Sequence, residues 1–327
     1  MDTNINQPWV TWLMPVKNGM PYLPETLASI EAQTYKNWQI LVWDNGSNDG
    51  TLAELHKWIP SRLPGKIIEG KPLSVGGACA ELVKQCETDL AARIDADDVN
   101  LPERLEKQVA FLQAHPDIAV VGSGVFTIDE EGNTLEKPNK FPLHHKDIVY
   151  HLLVDNAINH PTVVFRCSVI LEVGNYRDIL YMEDLDLWLR VAQSYKLANI
   201  PELLVKYRIH SRSSTQMAIA QNKLFDQTNN CWAEYAQSLY GLSRRDAEQL
   251  RSKKHPLALI ALFKIANYLG HSHGDNWWGI WQEKHFIISG RAVIANKDII
   301  SRILWAILWY WSQKQNPLMY GQNRDKI

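Results

Sequence analysis

Residues 38–59 are WQILVWDNGSNDGTLAELHKWI, and this stretch decides the fold class. Residues 38–43 form an apolar run with the length of a buried strand. Residues 44–50, DNGSNDG, are a cluster of residues that favour turns, and residues 51–59 predict a short helix. A strand that leads through a polar turn into a helix is the first part of a βαβ unit, the connection that joins parallel strands.

The same alternation continues on both sides of this unit. Apolar runs predict further strands, and apolar residues at helical spacing predict further helices. The strands are expected at residues 9–16, 65–70, 90–94 and 117–124, and the helices at residues 24–33, at 75–86 and from Pro102 onward. This order indicates an α/β fold with a mainly parallel sheet, in which ligands bind at the carboxyl ends of the strands.

Two polar clusters fall at those strand ends: the turn at residues 44–50 and the acidic cluster DADD at residues 95–98. Three carboxylates in four positions repel one another and require a counter-charge. Asp95 and Asp97 can each present an oxygen to Mg²⁺ or Mn²⁺ shared with substrate phosphates. The alternative is a solvated helix N-terminus, where acidic residues favour the helix dipole and Asp98 caps the helix.

Composition limits the class of protein. A chain of 327 residues with 46% hydrophobic and 21% charged residues is typical of a soluble globular protein with a large core. Its four cysteines form no C-x-x-C pair, so a reducing compartment is favoured and a zinc site is not expected. The first residues lack the pattern of a secretory signal, and we therefore expect a cytoplasmic protein. No nucleic-acid partner is expected.

Charge and tryptophan content change near residue 220. Residues 1–220 hold 20 Lys and Arg against 28 Asp and Glu, whereas residues 221–327 hold 14 against 8. Seven of the thirteen tryptophans lie in the second stretch. We therefore expect one domain over residues 1–220 and an extension over residues 221–327.

The extension contains an apolar run at residues 303–311, ILWAILWYW, which is too short to span a membrane. Two interpretations remain open. In the first, the run packs on the domain or on a partner chain, and packing on a partner chain would give self-association. In the second, it lies peripherally at the inner face of an anionic membrane. The histidines of GHSHG, residues 270–274, are expected to be surface residues and not metal ligands.

Several motifs together resemble the family 2 glycosyltransferases of the GT-A fold. DNGSNDGT is similar to the family's V-D-D-G-S-T-D-G-T turn, and DADD to its D-x-D motif. The similar segments, which together cover roughly residues 9–215, are residues 14–51, 92–112, 160–166, 183–190 and 207–214. The resemblance implies a GT-A type, Rossmann-like sheet flanked by helices over residues 1–220. The uncovered extension is expected to be mostly helical.

The resemblance also implies an activity: inverting transfer of a sugar from a nucleotide diphosphate sugar, by default a UDP-hexose, to an acceptor hydroxyl. The acceptor would be a growing surface polysaccharide or a lipid-linked saccharide. On the donor side, Asp44 would accept a hydrogen bond from the base, and the backbone at Pro15, Val16 and Asn18 would border the base and ribose.

The metal, Mn²⁺ or Mg²⁺, is implied at the D-x-D motif. Asp97 would be the metal ligand, and Asp95 would contact the ribose or the metal. His210, between Arg208 and Arg212, is a further candidate for the metal or the diphosphate, although a lone histidine is more often structural.

The acceptor side is assigned to the segment YMEDLDLWLR, residues 181–190. By resemblance Asp184 is the general base and Glu183 supports the acceptor. From the residues alone, these carboxylates are more typical of a first helical turn than of a catalytic site. Trp188 either stacks on a sugar or packs in the core, and His160 is either a site residue or structural.

The sequence departs from the family pattern in the predicted helix before the acidic strand. Relatives carry N-x-G-x-x-x-A-x-N there, but residues 71–85 lack both asparagines, and we interpret Gly76-Gly77 as local flexibility. Asn45 replaces the second Asp of the family's turn. Arg93 is expected to pair with a neighbouring acid more readily than to contact the donor.

Two other functions fit the same fold. A non-catalytic nucleotide-sugar or carbohydrate-binding protein would not need Asp44, Asp95, Asp97 and Asp184 together. A nucleotidyltransferase would carry a basic, glycine-rich loop after the first strand, and residues 15–23 lack one.

Overall fold

A computed structural model describes residues 8–135, 141–152, 156–214, 216–217, 224–251, 261, 264–265 and 307. The chain divides into two compact units, Met1–Thr228 and Asn229–Ile327.

The first unit is one sheet with helices. The strands are β1 (Val10–Val16), β2 (Trp38–Asp44), β3 (Gly65–Glu69), β4 (Leu90–Arg93), β5 (Val99–Asn100), β6 (Ile118–Ile128), β7 (Val164–Arg166) and β8 (Lys196–Arg208). The helices are α1 (Leu23–Glu31), α2 (Thr51–Trp58), α3 (Val75–Lys84), α4 (Arg104–Ala114), α5 (His145–His151), α6 (Cys167–Glu172) and α7 (Glu183–Val191).

The strand order in the sheet is β3-β2-β1-β4-β7-β6-β8-β5. The first four strands in this order, β3 to β4, are parallel to one another, whereas β7 is antiparallel to both β4 and β6. Strand β8 is parallel to β6, and β5 is antiparallel to β8. The predicted α/β sheet flanked by helices is confirmed, and the antiparallel strands make it a mixed sheet.

Strand β1 lies at the centre of the parallel part. Val10, Trp12 and Met14 are fully buried, and the residues between them are also covered, as expected for a parallel strand with helices on both faces. The predicted apolar face of α4 is confirmed, because Leu105, Val109 and Leu112 are all in the core. The helix begins at Arg104, two residues after Pro102.

A buried arginine fixes the end of β4, where the acidic cluster begins. Arg104 is fully buried and donates hydrogen bonds to Asn100 Oδ1 at 2.5 Å, to Gln108 Oε1 at 3.1 Å and to the carbonyl of Arg93 at 2.8 Å. Burial lowers the pKa of the Arg104 guanidinium to about 9. These bonds join α4 to the last residue of β4, so the following loop leaves the sheet from a fixed point.

Further helices follow the sheet: α8 (Leu224–Tyr240) and α9 (Arg244–Arg251). Trp232 and Tyr240 are buried, with ring centroids 6.1 Å apart. Among the helices that the structure describes, none is both long enough and apolar enough to cross a membrane. The predictions for residues 270–274, and for residues 303–311 apart from the exposed Ile307, lie outside the described residues.

Candidate active site

A cleft of about 430 Å³ lies at the carboxyl ends of β1 and β4. Residues predicted from the sequence to bind donor and metal line it together: Pro15, Val16, Asn18, Asp95, Asp97 and His210. The cleft is also lined by residues for which no site role is predicted, among them Lys17, Tyr22 and Asn45. Tyr22 and Lys17 belong to no recognisable spacing pattern, so only their position beside β1 reveals them.

One wall of the cleft consists of two interlocked loops. Asn18 has a left-handed backbone, with φ 57°, and its amide N–H donates to Ser47 Oγ at 2.9 Å. Its side-chain Oδ1 accepts from the N–H of Asn48 at 2.9 Å, and the N–H of Gly19 donates to Thr51 Oγ1 at 2.8 Å. The polar turn after β2 therefore holds the loop after β1 by hydrogen bonds in both directions.

Asp44 lies beneath this wall and does not line the cleft itself. It is 4% exposed, and its Oδ2 accepts from the N–H of Ser47 at 3.2 Å. Its Oδ1 is buried without a hydrogen-bond partner among the described residues. A buried, unpartnered acceptor is costly, and the bond to a base that the resemblance implies for Asp44 would satisfy it.

Asn45 has a structural reason to be an asparagine. Its side-chain Nδ2 donates to the carbonyl of Leu73 at 2.7 Å, and its Oδ1 accepts from the N–H of Leu73 at 2.7 Å. The amide of Asn45 donates and accepts at once, whereas the ionised aspartate of the family's turn would place an acceptor against the Leu73 carbonyl. This pair ties the turn to the segment that precedes α3.

Arg93 supplies the counter-charge to the first carboxylate of the cluster. Its guanidinium is 3% exposed and forms an ion pair with Asp95, as expected from the sequence. Burial raises the pKa of the Asp95 carboxyl, and the Arg93 charge opposes that rise. Asp95 therefore faces the cleft from a position held by a buried cation.

Asp97 is held by two residues at the end of β8. Its Oδ2 lies 2.7 Å from His210 Nε2, and its backbone carbonyl accepts from Arg208 Nε at 2.9 Å. His210 Nδ1 is buried and has no hydrogen-bond partner among the described residues. Arg208 was grouped with His210 as a candidate for the diphosphate, but it is 2% exposed and bonds to protein groups instead.

The prediction that Asp98 caps the following helix is wrong. The helix is preceded by Glu103, which makes no side-chain cap, whereas Asp98 is fully buried and accepts from the N–H of Arg208 at 2.8 Å. Burial and the neighbouring Asp97 and Asp95 raise the pKa of Asp98 well above its usual range. Asp98 thus fastens the acidic loop to β8.

The donor set fits a hard divalent cation. Asp95, Asp97 and Asp98 each place an atom within 4.8 Å of the others, and the first two line the cleft. Carboxylate oxygens suit Mg²⁺ and Mn²⁺, and His210 beside Asp97 adds a nitrogen donor. Among the described residues, Asp95 and Asp97 face the cleft and could hold such an ion, while His210 Nε2 is bonded to Asp97.

The carboxylates predicted for the acceptor side lie in the first turn of α7, so the helix-start interpretation is confirmed. Asp184 Oδ2 accepts from Asn156 Nδ2 at 2.6 Å, and its Oδ1 accepts from the N–H of Leu185 at 2.7 Å. Burial, followed by the charge of Asp184, raises the pKa of Glu183 to about 8. Burial also raises the pKa of Asp184, and its hydrogen bonds from Leu185 and Asn156 oppose that rise.

Burial decides between the two interpretations that the sequence leaves open for Trp188 and for His160. Trp188 is fully buried, so it packs in the core and presents no face to a sugar. His160 is 6% exposed, its Nε2 lies 2.9 Å from Tyr176 Oη, and its Nδ1 lies 3.8 Å from Glu183 Oε1. Burial lowers the pKa of His160 well below its usual value, so it is a neutral group that supports Glu183 from within the core.

Gly76 is required for close packing, which corrects its interpretation as local flexibility. A Cβ at this position would lie 2.3 Å from the carbonyl oxygen of Arg177 and 2.9 Å from Glu183 Cβ. Ser74, one residue before α3, accepts from the N–H of Gly77 at 3.0 Å and also hydrogen-bonds Asp178. The start of α3 therefore packs directly against the segment that leads into α7.

Comparison with known sequences agrees with this geometry. The profile of Glycosyl transferase family 2 matches residues 11–171. The amylovoran biosynthesis glycosyltransferase AmsE of Erwinia amylovora is 35% identical over 58% of this chain and 71% of its own length. The O-antigen biosynthesis glycosyltransferase WbnJ of Escherichia coli is 33% identical over 64% of this chain and 84% of its own.

Solved structures share the fold. Residues 1–349 of S. aureus TarS, in complex with UDP-GlcNAc, superpose with a TM-score of 0.56 at 14% identity, over 93% of this chain and 92% of that one. The mannosyltransferase PcManGT from Pyrobaculum calidifontis, in complex with GDP-Man and Mn²⁺, gives 0.54 at 16% identity, over 98% and 88%. The fold, the sequence profile and the relatives agree, and the chain belongs to the family 2 glycosyltransferases, with a GT-A type sheet.

Proposed function

We propose that this glycosyltransferase is an inverting, metal-dependent enzyme that transfers a hexose from a nucleoside diphosphate sugar to an acceptor hydroxyl. The observation that carries the proposal is the cleft at the ends of β1 and β4, where Asp95, Asp97 and His210 face the interlocked loops after β1 and β2. Residues 1–220 form the catalytic domain, and residues 221–327 form an extension.

The donor's nucleoside lies along the wall made by Pro15, Val16 and Asn18. The unpartnered Asp44 Oδ1 accepts a hydrogen bond from the base. UDP-hexoses are the first donors to test, since a neighbour in fold binds UDP-GlcNAc, and GDP-mannose is the second, since another binds GDP-Man.

The diphosphate lies against Asp95, Asp97 and His210. A bound Mn²⁺ or Mg²⁺ supplies Lewis-acid stabilisation of the negative charge that develops on the departing diphosphate. The chain itself fixes the positions of these carboxylates. Arg93 forms an ion pair with Asp95, Arg208 donates to the backbone carbonyl of Asp97, and His210 is bonded to the Asp97 carboxylate.

On the acceptor side, Asp184 takes the proton of the attacking hydroxyl, and attack opposite the leaving group inverts the anomeric carbon. Asn156 and the N–H of Leu185 orient its carboxylate and favour its ionised form. Glu183, which holds its proton near neutral pH, can donate a hydrogen bond to the acceptor.

The acceptor is a saccharide in the synthesis of a surface polysaccharide. This follows from similarity to AmsE and WbnJ, whose names assign them to amylovoran and O-antigen biosynthesis. Peripheral membrane contact through the extension would suit a lipid-linked acceptor, and liposome flotation with and without residues 296–327 tests it.

The deciding experiment incubates the purified chain with a panel of UDP- and GDP-sugars and Mn²⁺, with and without EDTA, and measures donor hydrolysis and calorimetric binding. We expect metal-dependent binding and slow hydrolysis of one donor. Binding without any turnover, even with a saccharide panel, would favour the non-catalytic binding protein. Absence of both would overturn the proposal, and release of pyrophosphate from a nucleoside triphosphate would indicate a nucleotidyltransferase.

A further inference from the structure

We infer that Cys86 and Cys167 form an oxidisable pair, which hydrogen peroxide converts to an intramolecular disulfide within the native fold. Neither cysteine lines the cleft, and neither lies in residues 181–190, to which the acceptor side is assigned. The inference is independent of the proposed sugar transfer.

The two sulfur atoms are already in contact. Cys86 Sγ lies 3.3 Å from Cys167 Sγ, and both residues are free thiols. A disulfide bond has a length of about 2.05 Å, so the sulfurs must approach by little more than an ångström.

The surrounding backbone already joins the two segments. Cys86 lies just after α3, and Cys167 is the first residue of α6, directly after β7. The N–H of Cys167 donates to the carbonyl of Asp89 at 2.9 Å, and Leu90 pairs with Arg166 in the antiparallel ladder of β4 and β7. The fold thus holds the two cysteines together whether or not they are oxidised.

The pair has the asymmetry of an attacking and a resolving thiol. Cys86 is half-buried in a turn between the exposed Gln85 and Glu87, whereas Cys167 is 5% exposed. The hydrogen bond from Cys167 lowers the pKa of Cys86 to about 6, against the opposing effect of burial. Cys86 is therefore the accessible thiolate, and the thiolate is the form that reacts with peroxide.

The chemistry balances with hydrogen peroxide as the oxidant. The Cys86 thiolate attacks one peroxide oxygen; an S–O bond forms, the O–O bond breaks, and the departing hydroxide takes a proton to become water. Cys167 sulfur then attacks the sulfenic sulfur; the S–S bond forms, the S–O bond breaks, and hydroxide leaves with the Cys167 proton as a second water. Two thiols and one peroxide give one disulfide and two waters.

The other cysteines provide an internal contrast. Cys79 is 3% exposed, and burial raises its pKa to about 12, so it stays a protonated, inaccessible thiol. Cys231 is 6% exposed and lies in α8. Oxidation should therefore select one pair out of four cysteines.

The link would lie away from the cleft. Strand β4 runs from Leu90 to Arg93 toward the acidic cluster, and the pair lies at the opposite, Leu90 end. The disulfide would join the end of α3 to the start of α6 and close the chain between residues 86 and 167. A link of this loop length raises the unfolding temperature, here by about 5 °C or more.

The test treats the reduced full-length chain with hydrogen peroxide and counts thiols by alkylation, followed by peptide mapping without reduction. We expect the thiols to fall from four to two, a Cys86–Cys167 cross-linked peptide, a higher Tm and full reversal by dithiothreitol. Four persistent thiols, cross-links that involve Cys79 or Cys231, or an oxidised chain that melts below the reduced one would each overturn the inference.

Variants assign the roles. Cys167→Ser should leave Cys86 as a sulfenic acid that dimedone labels, Cys86→Ser should leave Cys167 reduced, and the control Cys231→Ala should still form the link. The opposite result would overturn this assignment of roles. It would consist of dimedone labelling of Cys167 in the Cys86→Ser variant and no labelling of Cys86 in the Cys167→Ser variant. The peptide mapping of the wild-type chain needs no variant, so a variant that misfolds does not affect it. It also needs no sugar donor, so its result does not depend on the proposed sugar transfer.

Discussion

The donor wall, residues 16–51, and the acceptor segment, residues 156–188, position polar groups by different means. In the donor wall, backbone N–H groups and short side chains near the surface bond to one another, as between Asn18 and Asn48. In the acceptor segment, carboxylates and a histidine lie below the surface and have shifted pKa values. The donor side is thus set by hydrogen-bond geometry and the acceptor side by desolvated charge, so the two should respond differently to mutation and to pH.

The largest expected effect tests the metal-binding end of the donor side. Asp97→Ala removes a carboxylate that faces the cleft and should lower kcat by about 10³-fold, because the charge on the leaving diphosphate loses its stabilisation. Steady-state kinetics at several Mn²⁺ concentrations provide the measurement. Asp117→Ala, which removes an exposed carboxylate paired with Lys196, is the matched control and should retain activity. Normal turnover by a folded Asp97→Ala chain would contradict the assignment.

The next effect separates the two regions. Asp184→Asn is isosteric and should lower kcat by about 10² to 10³-fold, because no base then accepts the hydroxyl proton. Donor affinity, measured by calorimetry, should stay unchanged, since Asp184 does not line the donor cleft. A loss of donor affinity with kcat intact would place Asp184 on the donor side and would contradict the proposed difference between the donor and acceptor regions.

A smaller effect tests the hydrogen-bond geometry of the donor wall. Asn45→Asp replaces the donor to the Leu73 carbonyl with an acceptor and should lower the free energy of unfolding by about 1–2 kcal/mol. Asn48→Asp introduces the same charge at an exposed position, where only the backbone N–H is used, and serves as the control. Equal urea-unfolding midpoints for the two variants would show that the Asn45–Leu73 pair contributes nothing.

The last prediction concerns charge on the acceptor side and is measured as a change of stability with pH. The pKa of Glu183 rises from 4.5 to about 8 on folding, so its contribution to stability is present in full below pH 4.5 and is lost as the pH rises through about 8. Glu183→Gln cannot titrate, and the decline of its Tm across this interval should be shallower than in the parent chain. Parallel Tm curves, measured by calorimetry from about pH 5 to 8.5, would show that Glu183 is not desolvated in the fold.

Much of the fold could be predicted from the sequence, because strand and helix periodicity are local properties. The strand at residues 38–43 and the helix at residues 51–59 agree with β2 and α2 to within one residue at each end. Gly76-Gly77 gave no such signal, because the contacts that require Gly76 come from residues about a hundred positions away along the chain.

The candidate site was likewise only partly predictable from the sequence. The motifs containing Asp95, Asp97 and His210 predict one site, and these three residues do line one cleft. For Trp188 and His160 the sequence leaves a site role and a structural role open, and burial places both in the core. A motif identifies the chemical type of a residue, but exposure depends on which other elements cover it.

The sequence by itself determined the alternation of strands and helices and the placement of carboxylates at strand ends, since both depend on neighbours within a few residues. The tertiary structure decided which carboxylates are buried and which partner each one has. Asp98, next to Asp97 in sequence, is buried by β8 and bonded to Arg208, while Asp95 is paired with a buried Arg93 and Asp97 with His210. The partners of Asp97 and Asp98 lie more than a hundred positions away along the chain, and no local pattern contains that information. The Arg93–Asp95 pair joins residues two positions apart, which is why the sequence could predict it.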